Sequence, residues 1–391
     1  MDSSLTLVSN PGSASRKYAL FRGDVEQARL HFEWQNNKVV CSFNGNHLVH
    51  VIINDISDAP NHIARILVDQ GVLKDGENIY RIGLRIVAPS AYFLEDHLVD
   101  DGFVDRLEKL KSRTPLHINI VLEELHKLRE CFEGATVVGV SDSAFHITKP
   151  DYAWNYGISS VDAERLDLKR FGYHGLSVAS VVHTLKTTGK LPAKLIVCHL
   201  GSGASVTAVY AGKSLDNTMG YSPLEGVIMS TRSGNIDPTA VRVIKDFRHF
   251  DDDALEDYLN NHSGLLGLGG SSDIRELLRC EEDGDNRSRI ALQTYVFSIQ
   301  KAVGQMASVL GGVDGLVFTG TVAERSAPIR QRVSAKLHYL DLILDSKAND
   351  ACEEPKNPVS ISHLAHSKPV FVVPTNESAE IAKHSLKISP M

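Results

Sequence analysis

Two stretches of this chain share one layout. VSNPGSASRKYAL at 8–20 and VCHLGSGASVTAVY at 197–210 each read as a strand, a Gly-Ser turn followed by Ala-Ser, and a second strand. A hairpin that recurs once in each half constrains the fold strongly, because a duplicated unit builds its core twice. The competing reading is that Gly and Ser are simply common in turns. On these residues alone both readings stand.

The first hairpin carries a second question. Pro11 confines Asn10 to extended backbone, and Gly12 permits angles other residues avoid. That describes any tight turn. Asn10, Ser13 and Ser15 also set small donors beside backbone N–H groups, which suits an anion. The turn alone favours a plain connection, because short motifs match often by chance.

At 391 residues the chain exceeds what one core usually supports, so two domains are expected. A net charge of −7 argues against a broad nucleic-acid surface. A small anion needs only a few local cations. The five cysteines are dispersed and lack metal-type spacing, as in a reducing compartment. No stretch reads as a membrane span, and the start lacks a signal-peptide layout. No membrane partner and a cytoplasmic location are therefore expected.

The first fifty residues are strand-like: LTLVS, KYALF, ARLHFEW, KVVCSF and LVHVII. Helical spacing follows in PNHIARILVDQGVL, INIVLEELHKLRECF and LSVASVVHTLKTTGK. Short buried-strand runs lie between, ATVVGVSD, AKLIVCHL, DGLVFTG and KPVFVVP. This alternation predicts α/β layering. The polar, proline-containing stretch 346–369 reads as a low-order surface excursion before the last strand.

The segment GYSPLEGVIMSTRSGNIDPTAVRVI at 220–244 carries the most chemistry. Ser222 to Glu225 reads as a capping box with proline first, predicting a helix there, and Asp237-Pro238 predicts another. Between them Arg232 sits in a short link, either solvated or held ready as an anion clamp. Asp142 ends a buried strand, where open α/β sheets place ligands. Glu377 opens a helix after the last strand, and Asp273 also reads as a helix-start acid. Asp142 and Glu377 together suit Mg²⁺, which takes one or two carboxylates plus substrate oxygens. His174 and His199 each lie near glycine. The glycine turn at 320 opens a helix whose N-terminus could receive phosphate. There is no P-loop pattern and no convincing dinucleotide fingerprint.

Taken together, SNPGSASRKY, SDSAFHITKP, FGYHGLS, CHLGSGASVTAV, MGYSPLEGVIMSTRSGNIDP, SGLLGLGGSSDIREL, LVFTGTVAERSAPIR and VPTNESAEIA resemble the acetate kinase family over nearly the whole chain. The resemblance implies two duplicated α/β domains of the actin, Hsp70 and sugar-kinase type (ribonuclease H-like), closing on a phosphate-bearing ligand in an interdomain cleft. It divides the chain into 1–145, completed by a C-terminal helix 378–391, and a nucleotide-binding domain at 146–377. It also implies a cytoplasmic homodimer that moves a phosphoryl group between ATP and the carboxylate of a short acid.

Residue by residue, the resemblance makes Asp142, Arg232, His174 and Arg85 the catalytic set. Arg85 and Arg232 would hold the carboxylate and the moving phosphoryl group, and His174 would donate to it. Asp142 and Glu377, with Asn10 nearby, would position Mg²⁺ or Mn²⁺. Asn10, Ser13, Ser15 and Lys17 match the first phosphate-side hairpin. His199 and Gly201-Ser202-Gly203 would face the nucleotide phosphates. Asp273, Ile274 and Arg275 would border the adenosine of ATP or ADP, with Gly320, Thr321, Val322 and Ala323 opposite. Val87, Leu116, Tyr173 and Pro223 match the apolar pocket for the acid.

The chain departs from the family in places. LRIVAPS around Arg85 lacks the family's flanking histidines and glycine pair. Tyr173 stands for phenylalanine, adding a hydroxyl to the pocket wall, and Ser202 replaces an asparagine. GTVAER replaces Gly-Gly-Ile-Gly-Glu-Asn, so that Thr321, Ala323 and Arg325 narrow the nucleotide side. Two alternatives follow from these changes: a pyrophosphate-linked variant of the reaction, and a ligand-binding homologue without turnover.

Overall fold

The computed structural model describes residues 5–12, 15–35, 38–45, 47–74, 76–363 and 365–389. The chain divides into two compact units, residues 1–144 with 376–391, and residues 145–375. Asn376 and Glu377 thus belong to the first unit.

The first unit is built on strands β1 (Leu5–Pro11), β2 (Ser15–Arg22), β3 (Val25–Gln35), β4 (Lys38–Phe43), β5 (His47–Val49), β6 (Arg81–Ile86), β7 (His97–Leu98) and β8 (Thr136–Ser141). They form one sheet in the order β5-β4-β3-β2-β1-β6-β8-β7. Strand β1 runs antiparallel to β2 and parallel to β6, which is parallel to β8. Every residue of β1 is buried, as a strand covered on both faces requires. Helices Pro60–Asp69, Asp101–Leu110 and Pro115–Cys131 bury Ile63, Phe103, Leu107, Ile118 and Leu128 with Leu7 and Leu84 of the sheet. Each such side chain contributes about 1.5–3 kcal/mol when fully buried. Helix Glu377–Lys387 covers the opposite face. Gly83 of β6 makes that approach close: a β-carbon there would lie 2.8 Å from Ile381 Cγ2 and 3.3 Å from the Ile381 carbonyl oxygen.

The second unit repeats the plan. Strands β9 (Lys194–Leu200), β10 (Ala204–Tyr210), β11 (Lys213–Asn217), β12 (Gly315–Thr319), β13 (Val359–Ser360) and β14 (Val370–Val372) order as β11-β10-β9-β12-β14-β13. Strand β9 is antiparallel to β10 and parallel to β12, which is parallel to β14. The echo between the two hairpins is therefore topological: β2-β1-β6-β8 and β10-β9-β12-β14 are the same arrangement. Helix Gly175–Thr187 packs Val178, Val181 and Leu185 on Val197, Val209 and Val317.

Two local expectations fail. No helix begins at Ser222; residues 221–236 are turns and irregular backbone, and helices resume at Pro238–Arg248 with Asp237 as the cap. Glu225 does not cap. Its carboxylate instead binds Arg170 and the Tyr156 hydroxyl. The excursion at 346–369 is also more ordered than its composition suggests. It forms a helical turn at Ser346–Asp350 and the edge strand β13. Arg330, fully buried, binds the carbonyls of Asn349 and Cys352 at 2.7 Å. Among the described residues no helix is long and apolar enough to cross a membrane.

Candidate active site

In the first unit, four expected residues meet at the ends of β1, β6 and β8 and the start of helix Glu377–Lys387. Arg85 donates to Asn10 Oδ1 at 3.2 Å and to Asp142 Oδ2 at 2.9 Å. Asn10 Nδ2 donates to Glu377 Oε2 at 2.8 Å. The helix begins where it does because Asn376 accepts from the Ala379 N–H at 3.2 Å. Burial opposes the charge on Arg85, but the Asp142 and Glu377 carboxylates outweigh it and hold the guanidinium protonated beyond its ordinary range. Oxygens from Asn10, Asp142 and Glu377 form a hard donor set suited to Mg²⁺, with Arg85 among them. The described residues hold no group of three or more Asp, Glu, His or Cys that could bind a metal. A cation at this set would therefore draw on the asparagine and on substrate oxygens besides the two carboxylates. Lys17 lies opposite Asn10 in the β1–β2 register and is exposed. Ser15 is half-buried, and Ser13 lies outside the described residues. Val87 and Leu116 are half-buried in this unit.

In the second unit, two histidines stack with ring centroids 4.1 Å apart. His174 precedes helix Gly175–Thr187 in left-handed backbone, φ 59°, and its Nδ1 meets Ser205 Oγ at 3.0 Å. His199 Nδ1 meets Ser177 Oγ at 2.7 Å. Ser205 and His199 are register partners on β10 and β9. Both rings thus bond through Nδ1, and their Nε2 atoms lie by the turn at Gly201–Gly203. A β-carbon on Gly203 would sit 3.1 Å from His174 Nε2 and 3.4 Å from Arg232 Nη1; one on Gly201 would sit 3.6 Å from His199 Nε2 and 4.0 Å from the Thr321 nitrogen. Bare glycine backbone at these positions lets Arg232, His174, His199 and Thr321 converge on one turn. Ser202 is exposed at its tip.

The Arg232 link is stiff, though not through flanking helices. The Ser230 N–H binds the Ser202 carbonyl at 3.2 Å, and the Leu265 and Leu266 N–H groups bind the Met229 and Ser230 carbonyls at 2.9 Å. Thr231 Oγ1 donates to the Asn260 carbonyl at 2.7 Å. Gly264, at φ +59°, presses on Arg232 backbone so tightly that a β-carbon would lie 2.8 Å from its oxygen. The Arg232 guanidinium reaches the Pro223 carbonyl at 3.4 Å, and Pro223 is itself buried.

The remaining expected residues are placed less simply. Asp273 caps helix Ile274–Glu282 and binds Arg275 at 2.7–3.2 Å, which holds its carboxyl below the usual range. Ile274 is 5% exposed, so its side chain packs inside the unit. Tyr173 is fully buried and gives its hydroxyl to the Tyr221 carbonyl at 2.6 Å; it is not a free donor on a pocket wall. Gly320 has φ +86°, and a β-carbon there would meet the Leu200 carbonyl oxygen at 2.8 Å. Thr321 is exposed and Val322 half-buried, but Ala323 is fully buried and narrows nothing. Arg325 is turned to an ion pair with Glu354.

Sequence reasoning missed the supports behind these residues. Glu324 Oε1 accepts from the Gly320 and Thr375 N–H groups at 2.9 and 3.1 Å, and Thr375 Oγ1 meets Ser177 Oγ at 2.9 Å. Burial pushes the Glu324 carboxyl up, against those bonds. A chain of hydrogen bonds thus joins the Gly320 turn to His199. The signal for Ser205 lay in the repeated Ala-Ser of the hairpins; nothing in the sequence marked Thr375.

The pattern of the Acetokinase family matches residues 5–383. The chain is 33% identical to the acetate kinase of Thermoanaerobacter pseudethanolicus, over 98% of each chain. Its structure is similar to that of a propionate kinase from Francisella tularensis (TM-score 0.88, 30% identity, 99% of this chain and 100% of that one). It is also similar to Porphyromonas gingivalis acetate kinase (TM-score 0.85, 29% identity, 98% and 99%).

Proposed function

Because the chain belongs to the acetokinase family, we propose that it moves a phosphoryl group between ATP and the carboxylate of a short acid: acetate and ATP give acetyl phosphate and ADP, and the reverse. The convergence of Arg232, His174 and His199 on Gly201–Gly203 carries this reading. Phosphoryl transfer asks a protein for positioning and charge rather than covalent chemistry. A carboxylate oxygen attacks the γ-phosphorus, the bond to the bridging oxygen breaks, and ADP leaves with that oxygen's charge.

Arg232 sets a fixed cation against the equatorial oxygens of the moving group. With Ser205 Oγ donating to Nδ1 of His174, Nε2 carries the proton and donates to the same group. His199 and the glycine turn face the remaining phosphates, and the Gly320–Ala323 turn, with Asp273 and Arg275, borders the nucleoside. In the first unit Arg85 orients the carboxylate, beside Val87 and Leu116. Asn10, Asp142 and Glu377 would hold Mg²⁺, which would neutralise charge on the phosphate oxygens.

The relatives differ in the acid they are named for, so acetate and propionate both belong to the test. Acyl phosphate formed from a panel of short acids, ATP and Mg²⁺, trapped with hydroxylamine, checks the reading. Hydroxamate from acetate or propionate supports it; a folded protein giving none with any acid overturns it. The protein further acts as a cytoplasmic homodimer on this reading. Helix Pro238–Arg248 buries none of its residues and exposes Val243 and Phe247, which favours a covering partner. Light scattering at twice the chain mass is the expected result.

A further inference from the structure

We propose that Arg16 and Glu124 are positioning residues, a buried ion pair that fixes Gly12 at the end of β1 so that Asn10 and Lys17 meet the phosphate-side ligand. The proposal rests on the reading of that hairpin as phosphate-side.

The two strands alternate their faces. Asn10 and Lys17 are opposite each other, and Asn10 turns toward Glu377 and Arg85. Their neighbours, Ser9 opposite Tyr18 and Pro11 opposite Arg16, point to the other face. There, helix Pro115–Cys131 brings Glu124 into the core. Ser9 Oγ donates to Glu124 Oε1 at 2.6 Å, and Arg16 Nε lies 3.3 Å from Glu124 Oε2. Arg16 is 3% exposed and Glu124 not at all. Glu123, largely outside, stands 3.9 Å from the same guanidinium. Arg16 Nη1 also donates to the Gly12 carbonyl, and the Gly12 N–H binds the Ser15 carbonyl at 2.8 Å. The guanidinium therefore ties the last described residue before the turn to a helix 112 positions downstream (124 − 12).

A buried pair of this kind is a poor way to gain stability. Removing two charges from water costs several kcal/mol per ion, and apolar side chains of similar volume commonly do as well. Burial pushes the Glu124 carboxyl up even against Arg16 and Ser9. What an apolar pair cannot supply is the directed bond to the Gly12 carbonyl. Arginine's planar fork can hold that oxygen and the carboxylate at once; lysine, a single point donor, cannot.

The test measures melting temperature, kcat and KM for ATP in E124Q, R16K and the double variant R16M/E124L. R16K keeps the charge balance of the core and decides the case where the other variants do not fold. The expected result is a KM for ATP raised about tenfold in R16K and E124Q, with kcat within about threefold. In R16M/E124L the melting temperature returns to the wild-type value or above while KM stays raised. A purely structural role would restore both together. K17A and N10A serve as the reference for the hairpin itself. If they leave KM for ATP unchanged, the phosphate-side reading fails and the proposal with it. If they raise it while R16K does not, the proposal alone is overturned.

Discussion

At the residue scale, the site depends on what glycines omit. Arg232 and His174 come within contact of one another's territory only because Gly203 has no side chain. Arg232 is then a preorganised charge, locked by backbone bonds from 229–232 to 260–266. R232A should lower kcat/KM by about a thousandfold, since it removes charge stabilisation at the transferring group. Steady-state assays check this, and a loss below tenfold would contradict the assigned role. Arg232 stood out as a lone arginine between small residues in a short link, though those residues alone left it divided between a solvated side chain and an anion clamp. Its true bracing was not legible. Residues 260–266 lie far along the chain, and no local pattern announces that they will strap the link. Tyr173 shows the opposite difficulty: its hydroxyl looked available in sequence, and a carbonyl 48 positions away takes it.

At the scale of elements, helix Glu377–Lys387 matters most, since its first residue reaches Asn10. The helix can lie on β1 and β6 only because Gly83 leaves room for Ile381. G83A should destabilise the protein by about 1–3 kcal/mol, the cost of overpacking a filled contact. Urea unfolding measures it, and an unchanged midpoint would show that the helix yields without strain. Strands and long helices were readable from their periodicity. The capping box at Ser222 was misread because Glu225 has a stronger use. Arg170 and Tyr156 claim its carboxylate through tertiary contacts that outweigh a local cap. The 346–369 excursion was misread for a similar reason: Arg330 orders it from a distant helix.

For the molecule as a whole, the duplication explains why chemistry gathers at two hairpins. Strand β1 presents Asn10 and strand β9 presents His199, each in the same position of its sheet. The sequence echo pointed to this, and the strand order decides between duplication and coincidence. A different property of the second unit lay outside sequence reasoning. Lys149 has no exposed side-chain surface, and burial pushes its ammonium down to about 8 despite Asp216 at 3.9 Å. In the unfolded chain it titrates at about 10.4. Between about pH 8 and 10 the unfolded state therefore binds more protons, and stability due to this group rises with pH. The unfolding free energy of wild type minus that of K149M should increase across that window. A constant difference would mean that Lys149 titrates normally.

The activity proposed for this chain is phosphoryl transfer between a nucleotide and a carboxylate. Phosphorus NMR of acetyl phosphate with ADP and Mg²⁺, beside a sample with orthophosphate in place of ADP, tests it most directly. ATP signals should grow in the first sample only. A folded protein that forms no ATP, or that forms pyrophosphate from orthophosphate instead, would contradict it.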